Sequence, residues 1–314
     1  MKKTIITVTL NPALDKTVNV NKMVVGGLNR VADIRVDAGG KGINVAKVLQ
    51  SFGEEVVTTG FVGGHNGAML LHEMETLHIK HSFISIHEET RTNLKIVDQS
   101  TKETTEVNEA GGEVQASELK AFYELFDQLL QDAAVLVLAG SLSPGLSVDI
   151  YEQLLQMAHQ QGVLSILDAE GESFLHGLKA HPTVIKPNIH ELEGLLNRQL
   201  HNDSEIVNAC QELIDTYKLD AVIVSMGKDG SIFVNKSETL RVTPFPIEPK
   251  STVGAGDSMV AAIASSLVHQ RSFEDMARYA CAAGTMTASK SGTDVATVQE
   301  VEQKLDQVGI TRLS

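Results

Sequence analysis

Ser251-Thr252-Val253-Gly254-Ala255-Gly256-Asp257-Ser258 runs straight into Met259-Val260-Ala261-Ala262-Ile263-Ala264. The stretch reads as a glycine turn that opens an apolar helix. Gly254 and Gly256 free the backbone to turn sharply and to lie close to a ligand. The first N–H groups of the helix have no partner inside it and stand at its positive dipole end, which suits an anion such as phosphate. Asp257 then sets a carboxylate beside that anion. A static phosphate would be repelled by it, whereas a hydroxyl attacking phosphorus needs a base to take its proton. The plain alternative is an ordinary helix start with Asp257 near the N-cap.

Strand-then-helix units lead up to this turn. Strands are expected at Ile5–Leu10, Val56–Phe61, Ala134–Ala139, Val163–Asp168, Thr183–Lys186 and Ala221–Ser225. Helices are expected at Ala68–Leu77, Val148–Gln160 and Ser204–Tyr217, with a further one opened by the Gly39-to-Asn44 stretch. A hairpin, Ser231–Asn235 with Thr239–Val242, precedes the glycine turn, and the tail reads as helical over Asp257–His269, Phe273–Ser289 and Val298–Val308. Such alternation implies an α/β fold with a parallel sheet covered on both faces, and ligands beyond the carboxyl ends of its strands. Two β-rich interruptions are too polar for that sheet: Lys16–Val24 with Arg30–Asp37, and Phe83–Ile86 with Asn93–Val97 and Thr104–Val107. Their mixed pattern suits a sheet with one wet face. They are expected to form a small discontinuous β-sheet lid, about 12-37 and 81-108, on a single domain spanning 1-314.

The chain of 314 residues is 42% hydrophobic and carries a formal net charge of -14. That balance suits a soluble globular protein and opposes binding to nucleic acid or anionic membranes. An anionic substrate therefore needs a local cluster of cations. Cys210 and Cys281 lie far apart in helical patterns, match no metal spacing and suit a reducing cytoplasmic setting as buried thiols. The N-terminal apolar run is too short for a signal peptide, and no window approaches a membrane helix.

Further motifs lie where predicted strands end. Gly39-Gly40-Lys41-Gly42-Ile43-Asn44 is a second glycine-rich helix start, with a lysine where an anion would bind; the alternative is a flexible turn with a solvated lysine. Arg91, in Thr90-Arg91-Thr92-Asn93, can fork two hydrogen bonds onto phosphate, or be a surface arginine of a hairpin. In Lys186-Pro187-Asn188-Ile189-His190-Glu191, Asn188 and Glu191 share one side of a first helical turn. They can hold hydrated Mg²⁺ or serve as a capping pair, and the two readings are compatible. Ser225-Met226-Gly227-Lys228-Asp229-Gly230 is a tight loop suited to a nucleotide or simply a hairpin turn. Ser141, in Ala139-Gly140-Ser141-Leu142, offers a hydroxyl to a sugar. Ala280-Cys281-Ala282-Ala283-Gly284 is a face of small residues for close packing or for a flat adenine. There is no G-x-x-x-x-G-K-[ST] loop, no G-x-G-x-x-G after the first strand, no H-E-x-x-H and no G-x-S-x-G.

Together these pieces resemble the phosphofructokinase-B branch of the ribokinase-like sugar kinases, in order and over essentially the whole chain. Its two signatures correspond to Gly39–Ala46 and Ser251–Met259. The resemblance implies a three-layer α/β/α fold with a β-lid, ATP as phosphoryl donor and Mg²⁺. It implies Asp257 as catalytic base with Gly254, Ala255 and Gly256 as the anion hole. It implies nucleotide contacts from Lys186, Asn188, Ser225, Gly227, Gly230, Gly256 and Ala283, and magnesium held through water by Glu191 and Asn188. Sugar contacts would come from Asp15, Gly39, Gly40, Lys41, Asn44, Asn93 and Ser141, with Arg91 on the substrate's existing phosphate and Arg30 assisting. The expected reaction converts fructose 1-phosphate to fructose 1,6-bisphosphate. Tagatose-6-phosphate kinase is the alternative, followed by 6-phosphofructokinase, a non-catalytic sugar-phosphate sensor or a kinase of unphosphorylated sugars or nucleosides. The lid also leaves room for a homodimer through its sheet. The chain departs from the family pattern at Gly112, Ser143, Ala169 and Glu170, none of which removes a group that phosphoryl transfer needs.

Overall fold

A computed structural model describes residues 3–313. The strands are β1 Thr4–Thr9, β2 Ala13–Val20, β3 Val31–Gly39, β4 Val56–Gly63, β5 Lys80–Ile86, β6 Arg91–Asp98, β7 Thr104–Asn108, β8 Ala133–Ala139, β9 Leu164–Asp168, β10 Val184–Ile185, β11 Ala221–Ser225, β12 Ser231–Asn235, β13 Thr239–Thr243 and β14 Gly309–Arg312. The helices are α1 Lys41–Ser51, α2 Gly64–Thr76, α3 Ala116–Leu130, α4 Ile150–Gln160, α5 Gly171–Leu178, α6 Ile189–Leu196, α7 Asp203–Tyr217, α8 Ala255–Val268, α9 Phe273–Ala288 and α10 Val298–Glu302.

Ten strands form one sheet in the order β14-β13-β12-β11-β10-β9-β8-β1-β4-β5. It is parallel from β5 to β11. From β12 onward each strand runs antiparallel to its neighbour. Residues alternate between the two faces with period two. On β8, Val135, Val137 and Ala139 pack among Leu49 of α1, Val260 of α8 and Ala280 of α9. Leu136 and Leu138 turn the other way, towards Phe122 of α3, Leu154 of α4 and Leu213 of α7. Two cores separated by one sheet are what three α/β/α layers require, and the expected fold class stands.

The second sheet has the order β3-β2-β6-β7. β2 and β6 run parallel, and β3 and β7 flank them antiparallel. Its members lie within 13–39 and 91–108, which corrects the lid expected to begin again at 81. Phe83–Ile86 belongs to β5, which pairs with β4 at the edge of the main sheet. An edge strand has one open side, and β5 is mostly half-exposed, so its polar pattern imitates a lid strand. The tail also differs from the helical expectation: α10 stops at Glu302 and β14 adds an edge to the main sheet beside β13. No helix among the described residues is long and apolar enough to cross a membrane.

Gly42 shows how tightly α1 is seated on the sheet. A Cβ there would lie 2.5 Å from both the Val8 carbonyl oxygen and Thr9 Oγ1. Gly194, exposed within α6, has nothing within 4 Å of such a Cβ. Gly42→Ala is therefore expected to cost about 1–3 kcal/mol and lower Tm by several degrees. Gly194→Ala should hold or raise Tm, because alanine favours a helix interior by about 1 kcal/mol. Paired thermal melts check the contrast; equal effects would place the two glycines in equivalent surroundings.

Candidate active site

Gly254 takes the left-handed conformation, φ 78, and is the N-cap of α8 without a side-chain cap. The Ser258 N–H donates to the Gly254 carbonyl at 2.8 Å. The N–H groups of Gly256 and Asp257 precede that bond and have no carbonyl inside the helix to reach. Asp257 is buried, and its Oδ2 accepts from Asn44 Nδ2 at 2.8 Å. Burial, seconded by the charge of Asp168, pushes the Asp257 carboxyl up to about 6, against the pull of Asn44, Lys41 and Lys186. A carboxylate tuned this way is a competent proton acceptor near neutral pH.

Asp168 ends β9 and is 2% exposed. One of its oxygens lies 3.5 Å from Lys41 Nζ and 3.5 Å from Lys186 Nζ. It is thus the counter-charge shared by a lysine from the first glycine turn and a lysine from the end of β10. Burial works against the Lys41 ammonium, but Asp168, Glu191, Asp257 and Glu170 outweigh it and hold its pKa above the ordinary value. The sequence reading gave Asp168 no role. Its signal was an acid at the carboxyl end of a parallel strand, the place where such sheets gather ligand groups.

The lid's polar face adjoins the first glycine turn. Asp15 is buried and accepts from Asn93 Nδ2 at 2.9 Å, with Lys95 Nζ 3.5 Å away. Lys95, to which the sequence pattern assigned no role of its own, lies two residues beyond Asn93 and so on the same face of β6. A Cβ on Gly39 would fall 2.6 Å from the Asp15 carboxyl carbon, so glycine is what lets the two strands meet here. Gly40, φ 115, then turns the chain into α1. Asn93 Oδ1 is buried and meets no protein donor, an acceptor ready for a ligand hydroxyl.

Four other expected site residues are engaged to different degrees, and one of them, Ala283, needs correction. Arg91 is half-committed: Nε and one terminal nitrogen donate to the Asn11 carbonyl at 3.3 and 3.1 Å, and the other to the Glu109 carbonyl at 3.0 Å. It braces the start of the lid with part of its fork. Arg30 sits in an exposed segment and makes no hydrogen bond or ion pair among the described residues. Ser141 is exposed and accepts a long 3.4 Å bond from Asn11. Ala283 is fully buried and does not face the cleft; on α9 the cleft side carries Cys281, Gly284, Thr285 and Ala288, spaced as one helical face.

That cleft, of about 850 Å³, joins the Gly254–Asp257 turn to Lys186, Asn188, Glu191, Ser225, Gly227 and Gly230. Its apolar wall is Pro244, Phe245, Pro246, Ile247 and Pro249 with Cys281 and Gly284. The proline-rich wall was not anticipated. Burial raises the Cys281 thiol to about 11 and the Cys210 thiol to about 12, so both are inert packing groups. Asn188 and Glu191 form the capping pair: Glu191 N–H donates to Asn188 Oδ1 at 2.9 Å, and Asn188 N–H donates to Glu191 Oε2 at 2.8 Å. Glu191 keeps Oε1 for another partner. Among the described residues no group of three His, Cys, Asp or Glu could cage a metal. The donors fit a hydrated Mg²⁺ held through water and shared with phosphate oxygens, the habit of that ion.

A family model described as pfkB family carbohydrate kinase matches residues 8–300. Tagatose-6-phosphate kinase of Staphylococcus epidermidis is 35% identical over 308 residues, 98% of this chain and 99% of that protein. 1-Phosphofructokinase of Vibrio cholerae is 32% identical over 313 residues, 100% of this chain and 98% of that protein. Phosphofructokinase-2 of Escherichia coli, solved in complex with potassium, has a TM-score of 0.91 at 30% identity, covering 97% and 99% of the two chains.

The raised Asp257 carboxyl has a consequence for stability. Below its ordinary value of 3.8 it is protonated in both the folded and unfolded chain, and it contributes nothing. Between 3.8 and about 6 the unfolded chain ionises first, so folding stability falls as pH rises. Above that window the cost is complete, at most about 3 kcal/mol. Asp257→Asn should therefore raise Tm at pH 8 and lose that advantage below pH 4. A lower Tm at pH 8 would contradict the assigned direction.

Proposed function

We propose that this chain, which belongs to the pfkB family of carbohydrate kinases, phosphorylates a ketohexose phosphate with ATP, fructose 1-phosphate being the acceptor. The observation that carries the reading is the placement of one buried carboxylate, Asp257, between two unlike halves. On one side lies a cleft large enough for a nucleotide, with an apolar wall and the Lys186 ammonium. On the other lies a polar lid face bearing Asp15, Asn93 and Lys95, with Asp15 packed against Gly39, two residues before Lys41. A sugar phosphate needs hydroxyl readers and cations together, and free sugars leave the cations without a use.

The acceptor's primary hydroxyl lies against Asp257, which takes its proton as the bond to phosphorus forms. The N–H groups at the head of α8 receive the equatorial oxygens of the transferring group, and Lys41 and Lys186 balance its charge. Adenine rests against the proline wall and the small residues of α9. Asn188 and Glu191 hold magnesium through water; when bound, that ion neutralises charge on the donor phosphates. Asp15 and Asn93 receive sugar hydroxyls. The two N–H groups that Arg91 has left from five reach the acceptor's own phosphate, Ser141 adds a hydroxyl, and Arg30 borders the entry.

Tagatose 6-phosphate is the second reading, favoured by the Staphylococcus epidermidis relative. A phosphorylated ketofuranose has an alcohol carbon at each end, so turning it over presents a similar shape to the same groups. The exposed Val31, Ile34, Val36 and Val107 of the lid support the homodimer reading. The Escherichia coli phosphofructokinase-2 has been solved as a tetrameric inhibited form, so assembly occurs in this family.

The test is a panel of fructose 1-phosphate, tagatose 6-phosphate, fructose 6-phosphate and unphosphorylated sugars, compared by kcat/KM. The highest value for fructose 1-phosphate is expected; turnover of free sugars alone would remove the reading. With the best acceptor, Asp257→Asn should lower kcat about 10²–10⁴-fold. The wild-type pH–rate profile should lose activity on the acid side through about pH 6, as Asp257 takes up a proton. Arg91→Ala should reduce kcat/KM for the sugar phosphate about tenfold, the worth of a charged hydrogen bond, with the KM for ATP unchanged. A rise in the ATP KM alone would put Arg91 on the wrong ligand.

A further inference from the structure

The Gly39-Gly40-Lys41 turn is held from behind. β3 is the edge strand of the lid sheet, so alternate residues direct their N–H and C=O outward with no strand to meet them. At Ala38 both outward groups are taken. Its N–H donates to Glu73 Oε2 at 2.5 Å, and its carbonyl accepts from Lys47 Nζ at 2.7 Å. Lys47 Nζ and Glu73 Oε1 close the ring at 2.8 Å. Lys47 comes from α1 and Glu73 from α2, so two helical side chains stand in for a neighbouring strand at one residue. Ala38 is 1% exposed, and the next residue is Gly39, packed against Asp15.

Lys47 also completes a ridge. Lys41, Asn44 and Lys47 follow at intervals of three along α1 and share one side of it. Lys41 meets Asp168, Asn44 meets Asp257 and Lys47 meets Ala38. One helix side thus ties together the shared counter-charge, the base and the lid edge.

We propose that Lys47 and Glu73 are positioning residues for the acceptor half of the site. Their clamp on Ala38 fixes the lid edge to α1 and α2, and with it the Gly39–Lys41 turn and the place of Asp15. The clamp is read from the geometry alone; the statement that it serves a sugar phosphate rests on the proposed function. Neither side chain lines the nucleotide cleft. Breaking the clamp therefore loosens one substrate's site and leaves the other's in place.

The full-length enzyme is compared with Lys47→Met, Lys47→Arg and Glu73→Gln. For the sugar phosphate that the wild type uses best, Lys47→Met should raise KM about tenfold, the scale of one charge-assisted bond, with the ATP KM within about twofold. Lys47→Arg should recover most of the loss, since a guanidinium donates to a carbonyl and a carboxylate together. In the ligand-free protein, amide hydrogen exchange at 36–41 should quicken in Lys47→Met and stay unchanged at 221–235. That readout judges the clamp even if the wild type turns over no sugar phosphate, an outcome that would defeat the proposed function instead. Equal rises in both KM values, or unaltered exchange at 36–41, would overturn the proposal. If Lys47→Met does not fold, Glu73→Gln carries the same comparison, because its amide cannot both accept from Ala38 and pair with the Lys47 charge.

Discussion

A buried carboxylate at the head of a helix is the constraint on which this molecule turns. Asp257 sits where Gly254 bends into α8, bonded to Asn44 and near a second buried acid, Asp168. The charge of Asp168 opposes the ionisation of Asp257. Lys41 and Lys186 make the pair tolerable, each 3.5 Å from Asp168. The result is a carboxylate of raised pKa with two ammonium groups on the wall of the adjoining cleft. The N–H groups at the start of α8 add their partial positive charge at the same turn.

The backbone around this centre is arranged so that two helix starts can meet. α1 and α8 both open at glycines with positive φ, and their first turns touch through Asn44 and Asp257. α9 backs α8 closely: a Cβ on Gly284 would lie 2.8 Å from Met259 Cγ. The order of strands then separates the labour. β9, β10 and β11 end at the cleft lined by Asp168, Lys186 and Ser225, whereas β2, β3 and β6 belong to the smaller sheet that carries Asp15 and Asn93. Asp168 and Lys41 stand between the two, which is why a single lysine–aspartate contact belongs to both.

Much of this was legible before the structure. The succession of strand and helix foretold the layers. The two glycine turns could be read because each glycine answers a steric demand, as Gly39 does against Asp15 and Gly42 against Val8. What escaped has physical reasons. β5 looked like lid because an edge strand is half wet. Asp168 was hidden because its meaning lies in lysines 127 residues before it and 18 after it, brought close by the sheet. Arg91 read as a free fork because carbonyls that occupy a guanidinium leave no mark on the side-chain pattern. Ala283 missed the cleft by one helical position, a difference in rotation that a run of small residues does not reveal.

The state of Asp257 is the most direct thing to measure. Carbon-13 NMR of the labelled side-chain carboxyl, followed against pH with Asp257→Asn to assign the signal, reports its titration in the free protein. A midpoint near pH 6, falling when Asp168→Asn removes the neighbouring charge, is the result this account predicts. A midpoint near the ordinary aspartate value, about 4, with no response to Asp168→Asn, would contradict it.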